Sequence, residues 1–89
     1  MSTVISSAKT VNTSEGQIAI AKNRSYLGFQ NLDGSNDFHV HLGSDAATTL
    51  NGVRVGPGEF FELKVDDNNA EIRGISITGA VNIVFMEAN

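Results

Sequence analysis

The sequence predicts an all-β domain, a small antiparallel β-sandwich of about seven short strands that is jelly-roll-like or Ig-like in outline. Two observations lead to this fold class. Apolar and polar residues alternate with a period of two along much of the chain, whereas the apolar spacing of an amphipathic helix is nearly absent. Turn segments rich in Gly, Asn and Asp separate the alternating stretches at roughly ten-residue intervals.

The alternating stretches define the predicted strands. They cover residues 17–21, 25–32, 37–43, 53–55, 61–65, 70–78 and 80–88. In the last strand, Val81, Ile83 and Phe85 form one apolar face, and Val84 and Met86 add apolar side chains to the other face. Because a solvated sheet face is normally polar, we expect something to cover this second face, and a neighbouring subunit is the natural candidate.

The length of 89 residues is enough for one domain with one core. A domain of this size buries only about 60 to 65% of the surface of its unfolded chain. We therefore expect self-association to add to the stability of the fold. The chain has no cysteine, so no disulfide stabilises the fold and any further stabilising contact must be non-covalent. Residues 17–89 are predicted to form the sandwich. Residues 1–16, rich in Ser and Thr, are predicted to be either a flexible tail or an extended arm that adds a strand to another chain.

The charge pattern excludes some classes of partner. The formal net charge is -4, and the six Lys and Arg residues are scattered rather than clustered. Nucleic acid is therefore not an expected partner, because binding to phosphates needs a concentrated cationic surface. No apolar run is long enough for a signal peptide or a membrane span, so the product is expected to be soluble and made in the cytoplasm.

Two glycine-containing segments are predicted turns. Asn51-Gly52 is typical of a type I′ hairpin turn, in which both central residues have positive φ. Gly56-Pro57-Gly58 predicts a corner between strands, because proline cannot donate a hydrogen bond to a sheet ladder.

The strand 37–43 contains the candidate metal ligands. Phe38, Val40 and Leu42 form its apolar face, which leaves Asp37, His39 and His41 together on the other face. Residues two apart on a strand lie about 6.5 to 7 Å apart, so two imidazoles and one carboxylate can approach a single cation. A zinc site needs three or four protein ligands, however, and the chain has no third histidine. We expect no metal site within one chain. A metal site shared between symmetry-related chains is the alternative.

The histidine spacing resembles a known motif. The pattern Gly34-x4-His39-x-His41-x3-Asp45 is similar to the first metal motif of the cupin family. This resemblance implies a further histidine from a later strand, but the sequence after Pro57-Gly58 contains none.

Signals for catalysis are missing from the sequence. There is no G-x-S-x-G nucleophile elbow and no phosphate-binding glycine loop, and the paired carboxylates fall in turns or at strand starts. We therefore predict a protein that is not an enzyme and needs no cofactor.

A second resemblance covers roughly residues 17–87. The order of its motifs resembles small virion proteins of tailed bacteriophages, of the capsid-decoration or cement type. The matching residues are Arg24, Leu27, Phe29, Gln30, Asn31, Gly43, Ala47-Thr48-Thr49, Gly52-Val53, Val55-Gly56-Pro57-Gly58-Glu59 and the segment VNIVFME.

This second resemblance implies a β-sandwich that forms trimers and binds a protein lattice without catalysis. The function expected from it is a decoration protein that stabilises the outer shell, with the major capsid protein or another virion protein as partner and the virion as location. The alternatives are a head-fibre or tail module that contacts the host surface or a carbohydrate, and a metal-binding cupin-like protein.

Overall fold

The computed structural model describes residues 4–89, and the side chains of these residues except 65–68. The described residues form eight strands and confirm the all-β fold class. The strands are β1 (Ile5–Val11), β2 (Gly16–Ala19), β3 (Arg24–Asn31), β4 (Phe38–Leu42), β5 (Val53–Val55), β6 (Phe60–Asn68), β7 (Ile72–Ile75) and β8 (Val81–Ala88). Within the same residues, no helix has the length and apolarity needed to cross a membrane.

The strands pair into two four-stranded antiparallel sheets that face each other. The front sheet has the order β1-β8-β3-β6, and the back sheet has the order β2-β7-β4-β5. Most connections pass from one sheet to the other, which is the jelly-roll arrangement of eight strands. Because β1 and β2 each lie at an edge of their sheet, the sandwich has an open side between them.

The core lies between the sheets and follows from the pleat of the strands. Phe29 of β3 is fully buried, and its ring centroid lies 6.0 Å from that of Phe61 and 5.3 Å from that of Phe85. Phe38 and Val40 of β4 meet these rings from the back sheet, as the sequence alternation predicts. The buried apolar residues are Val11, Ile18, Leu27, Phe29, Phe38, Val40, Val55, Ile72, Val81, Ile83 and Phe85.

The structure differs from the predicted arm at residues 5–11. These residues form β1, which pairs antiparallel with β8 of the same chain from Ile5 opposite Glu87 to Val11 opposite Val81. The composition concealed this strand because an edge strand packs little: Val11 is its only residue in the described core. Residues 1–3 of the predicted arm lie outside the described residues.

The predicted hairpin at Asn51-Gly52 is wrong. Strands β4 and β5 are joined by a ten-residue loop, 43–52, which we call the β4–β5 loop. The Asn51 side chain accepts a hydrogen bond from the Thr48 amide at 2.8 Å and donates one to the Ala46 carbonyl at 3.0 Å. These local bonds give the backbone an alternative to a two-residue turn.

The corner predicted at residues 56–58 is confirmed. Gly58 has a φ of +72°, which a residue with a Cβ rarely adopts. The Glu59 amide donates to the Gly56 carbonyl at 3.0 Å, and the Glu59 carboxylate accepts from the Gly56 amide at 2.6 Å. These bonds close the turn between β5 and β6.

Neighbours in the same chain lie over the outer face of the front sheet. A Cβ placed on Gly28 would meet the Tyr26 hydroxyl at 2.9 Å and the ends of Met86 and Phe60 at 3.2 Å each. These three side chains therefore converge above a glycine, and both Met86 and Val84 are half-buried. Coverage of this face by a second subunit stays a prediction.

The core predicts a clear difference between two phenylalanines. Phe29→Ala should lower the free energy of unfolding by about 3 to 5 kcal/mol, because it removes a buried ring and leaves a cavity. Phe60→Ala is the control. Because Phe60 is 44% exposed, its removal should lower the free energy of unfolding much less. Urea unfolding followed by circular dichroism measures both values, and equal losses would contradict this assignment of the core.

Candidate functional site

The candidate metal ligands lie on the outer face of the back sheet. Phe38 and Val40 point into the core, so His39 and His41 of β4 point away from it. His39 is only 9% exposed, and its Nδ1 atom has no hydrogen-bond partner among the described residues. The Nδ1 atom of His41 lies 3.2 Å from the Asn51 carbonyl oxygen of the β4–β5 loop.

The donor set at this face does not fit a metal ion. Asp37 accepts a hydrogen bond from Nε of Arg54 at 2.6 Å, so its carboxylate is already paired with a cation. Over residues 4–89, as far as their side chains are described, no three His, Asp or Glu residues are grouped so that they could hold a metal ion. Two histidines alone fall short of the three or four ligands that zinc requires.

An ionic network near His41 serves to hold the back sheet together. Arg73 of β7 makes two hydrogen bonds to Glu15, of 2.5 and 2.8 Å, and a third to Glu71 at 2.6 Å. Gln17 of β2 donates to the same Glu71 at 2.8 Å. Hydrogen bonds from Arg73 hold the pKa of Glu15 below its ordinary value, and the bond from Gln17, with those from Arg73, does the same for the pKa of Glu71.

A cleft opens on the side of the sandwich between β1 and β2. It has a volume of about 300 Å³. Its lining joins apolar residues of the core to charged side chains at the rim. These residues are Ser7, Lys9, Gln17, Ile18, Ala19, Ile20, Lys22, Arg24, Phe85 and Glu87.

Arg24 forms the base of this cleft. Its side chain is fully buried. It donates from Nε to Glu87 at 2.7 Å and from Nη1 to the Ala70 carbonyl at 2.8 Å. Its Nη2 atom donates to the Ile20 carbonyl, and its guanidinium carbon lies 6.0 Å from the centre of the Phe85 ring. A buried cation needs such partners, and the described acceptors engage all three nitrogens of the guanidinium.

Glu87 pairs with two cations. Its second carboxylate oxygen lies 3.3 Å from Nζ of Lys22, a side chain that is 43% exposed. Burial acts to raise the pKa of Glu87, but the hydrogen bonds from Arg24 and Lys22 outweigh it and lower that pKa below its ordinary value. Glu87 is therefore ionised at neutral pH.

Lys9 also lines the cleft. It sits on β1 opposite Ile83 of β8 and so shares the inward face of that core residue. Among the described ion pairs, none involves Lys9. The cleft thus gathers three cationic side chains and one carboxylate, a net charge of +2 in a chain whose total is -4.

Comparisons with known proteins identify the fold but no family. No protein-family model matches the chain. A search of the curated proteins found no match either. The chain is similar in structure to a cupin protein from Bacteroides fragilis, with a TM-score of 0.57, 9% identity, and coverage of 97% of this chain and 65% of that one.

Two further solved structures extend this similarity. A cupin-2 domain protein from Shewanella frigidimarina gives a TM-score of 0.56 at 10% identity, covering 97% of this chain and 71% of that one. Hydroxypropylphosphonic acid epoxidase from S. wedmorenis gives 0.62 at 10% identity, covering 94% of this chain. The chain spans only 43% of the epoxidase. These likenesses show a cupin-like fold.

The prediction of a capsid-decoration protein is wrong, because the solved structures that resemble this chain include cupin proteins. The same finding favours the cupin-like alternative over the head-fibre or tail module. The matched motifs misled because they are strand and turn features, such as the corner at residues 56–59, that a jelly roll forms for its own geometry. The capsid partner, the trimer and the virion location rested on that resemblance and stay predictions.

The sequence patterns do not predict the cleft, although one signal for it is present. Glu87 continues the inward positions Val81, Ile83 and Phe85 of β8, so a carboxylate falls where a core residue is expected. Charged residues are almost never buried unless they are paired, so this position predicts a buried cation nearby. Lys9 gives no such signal, because its strand falls in the predicted arm, residues 1–16.

Removal of Arg24 should unfold this end of the sandwich. Arg24→Leu leaves Glu87 without its main partner and frees two carbonyls, so we expect a loss of about 3 to 5 kcal/mol in the free energy of unfolding. Arg54→Leu is the control, because the Arg54 side chain is 57% exposed and its pair with Asp37 lies at the surface. Similar small losses in both variants would contradict the role given to Arg24.

The lowered pKa of Glu87 also predicts a pH dependence. A carboxyl group with a lowered pKa in the folded state adds stability above its unfolded pKa, about 4.3, and loses it as the pH falls through the folded value. The difference in unfolding free energy between the wild type and Glu87→Gln should therefore be largest near neutral pH and shrink below about pH 4. Urea unfolding across this pH range measures the difference. A constant difference would contradict the ionised state of Glu87.

Proposed function

We propose that this chain is a cupin-fold binding domain that holds a small molecule in the cleft between β1 and β2. The observation that supports this proposal most directly is the composition of the cleft. Apolar side chains at Ile18, Ile20 and Phe85 adjoin charged groups from β1, β3, β8 and the segment between β2 and β3. An apolar lining with a few convergent polar groups is the usual make-up of a small-molecule site.

The proposal includes no catalytic step in the cleft. General acid–base catalysis needs a group whose pKa lies near the working pH, most often a histidine. The cleft is lined by no histidine, and both oxygens of its carboxylate are engaged by Arg24 and Lys22. The two histidines of the chain lie on the outer face of the back sheet. We therefore propose a role in binding, with no metal ion.

A cleft-filling substitution tests this function. Ser7 lies opposite Phe85 and faces the cleft, whereas Ser6 lies opposite Met86 and faces outward on the same strand. Ser7→Phe should abolish ligand binding by filling the cleft, and Ser6→Phe should leave it intact. The probes are succinate, glycerol phosphate, butyrate and glucose, each followed by chemical-shift changes in the amide NMR spectrum.

We expect shift changes at Lys9, Ile20 and Phe85, and their loss in Ser7→Phe. Circular dichroism first establishes that both variants are folded. If no probe changes these resonances, or if Ser6→Phe and Ser7→Phe reduce binding equally, the cleft is not the binding site.

A further inference from the structure

We infer that the ligand of the cleft is a small organic dianion held between Lys9 and Lys22. This inference rests on the proposed function and names its ligand class. Lys9 belongs to β1 of the front sheet, and Lys22 follows β2 of the back sheet. The two lysines therefore reach the cleft from different segments of the chain, which suits a ligand with negative charge at both ends or a compact doubly charged group.

The charge of the cleft selects the charge of the ligand. Arg24 is buried and its nitrogens are engaged by Glu87 and backbone carbonyls, so it offers the ligand little beyond its electrostatic field. One negative charge at Glu87 offsets one of the three cations, which leaves a net charge of +2. A dianion matches this charge, whereas a monoanion leaves one cation uncompensated.

Glu87 and the ligand share Lys22. The Lys22–Glu87 contact is 3.3 Å long and partly exposed, while the Arg24–Glu87 contact is 2.7 Å long and buried. A ligand carboxylate can take over Lys22 while Arg24 keeps Glu87 paired, so the exchange leaves no buried charge without a partner. A monoanion that pairs with Lys9 has no second negative charge to pair with Lys22, so this exchange adds nothing to its affinity. Glu87 therefore acts as a specificity-determining residue that favours a second negative charge on the ligand.

The cleft volume limits the size of the dianion. Ligand sites usually span about 300 to 1,000 Å³, and this cleft of about 300 Å³ lies at the lower limit. It suits a ligand of a few carbons whose chain contacts Ile18 and Ile20. Short dicarboxylates and small phosphate monoesters both have this charge and size.

Lys9 also has a structural explanation. An inward-pointing charge on an edge strand discourages pairing with other chains, and β1 is an edge strand. That role requires no preference among ligands, so ligand selectivity distinguishes the two explanations.

The test compares dissociation constants for succinate and butyrate, which have the same number of carbons but differ by one charge. Isothermal titration calorimetry at fixed ionic strength should give about fivefold to tenfold tighter binding of succinate. Glycerol phosphate in a parallel titration shows whether dicarboxylates or phosphate monoesters bind better. Lys9→Gln and Lys22→Gln should each reduce the preference for succinate to about twofold or less. Lys64→Gln, which removes the remaining lysine, an exposed residue of β6, should leave this preference unchanged.

The results separate this inference from the proposed function. If butyrate or glucose binds as tightly as both dianions, and Ser7→Phe still blocks that binding, the dianion inference fails and the binding function stands. A succinate preference that persists in both Lys9→Gln and Lys22→Gln also overturns the inference. If none of the four probes binds in the cleft, the proposed function fails first.

Discussion

The buried guanidinium of Arg24 is the interaction on which the open side of this sandwich depends. The chain has no disulfide to join its sheets, and β1 contributes little to the core. Arg24 starts β3 of the front sheet, yet it donates to carbonyls at Ile20 and Ala70, which adjoin β2 and β7 of the back sheet. Its bond to Glu87 then fixes the end of β8. One side chain thus joins both sheets beside the cleft.

Charged side chains at the rim explain why the cleft stays open. If only apolar side chains lay at this position, β1 would pack onto β2 and the cleft would close, because burial of apolar surface is favourable. Charged groups at Lys9, Lys22 and Glu87 oppose such closure, because each would lose water without gaining a full set of hydrogen bonds. The strand order places the edge strands β1 and β2 on this side, and the charged side chains keep these two strands apart. The cleft is therefore a consequence of topology and local charge together.

The sequence predicted the parts of the fold that depend on alternation. Leu27, Phe29, Phe38 and Val40 lie in the core because period-two patterning determines which face of a strand is buried. Strand β1 escaped prediction because pairing of an edge strand rests on backbone hydrogen bonds, which composition does not reveal. The cleft was not predicted because its charged residues come from three separate segments, and only the strand order brings these together.

The two histidines show why spacing alone does not define a metal site. A ligand pair on a strand can enter the interior only if its positions coincide with the inward pleat, and in β4 those positions belong to Phe38 and Val40. A shift of the pairing by one residue would turn His39 and His41 inward, but it would expose both apolar side chains. Burial of each is worth about 1.5 to 3 kcal/mol, so the shift would remove a large part of the stability of a domain this small. The hydrophobic pattern therefore fixes the register that keeps these imidazoles out of the core between the sheets.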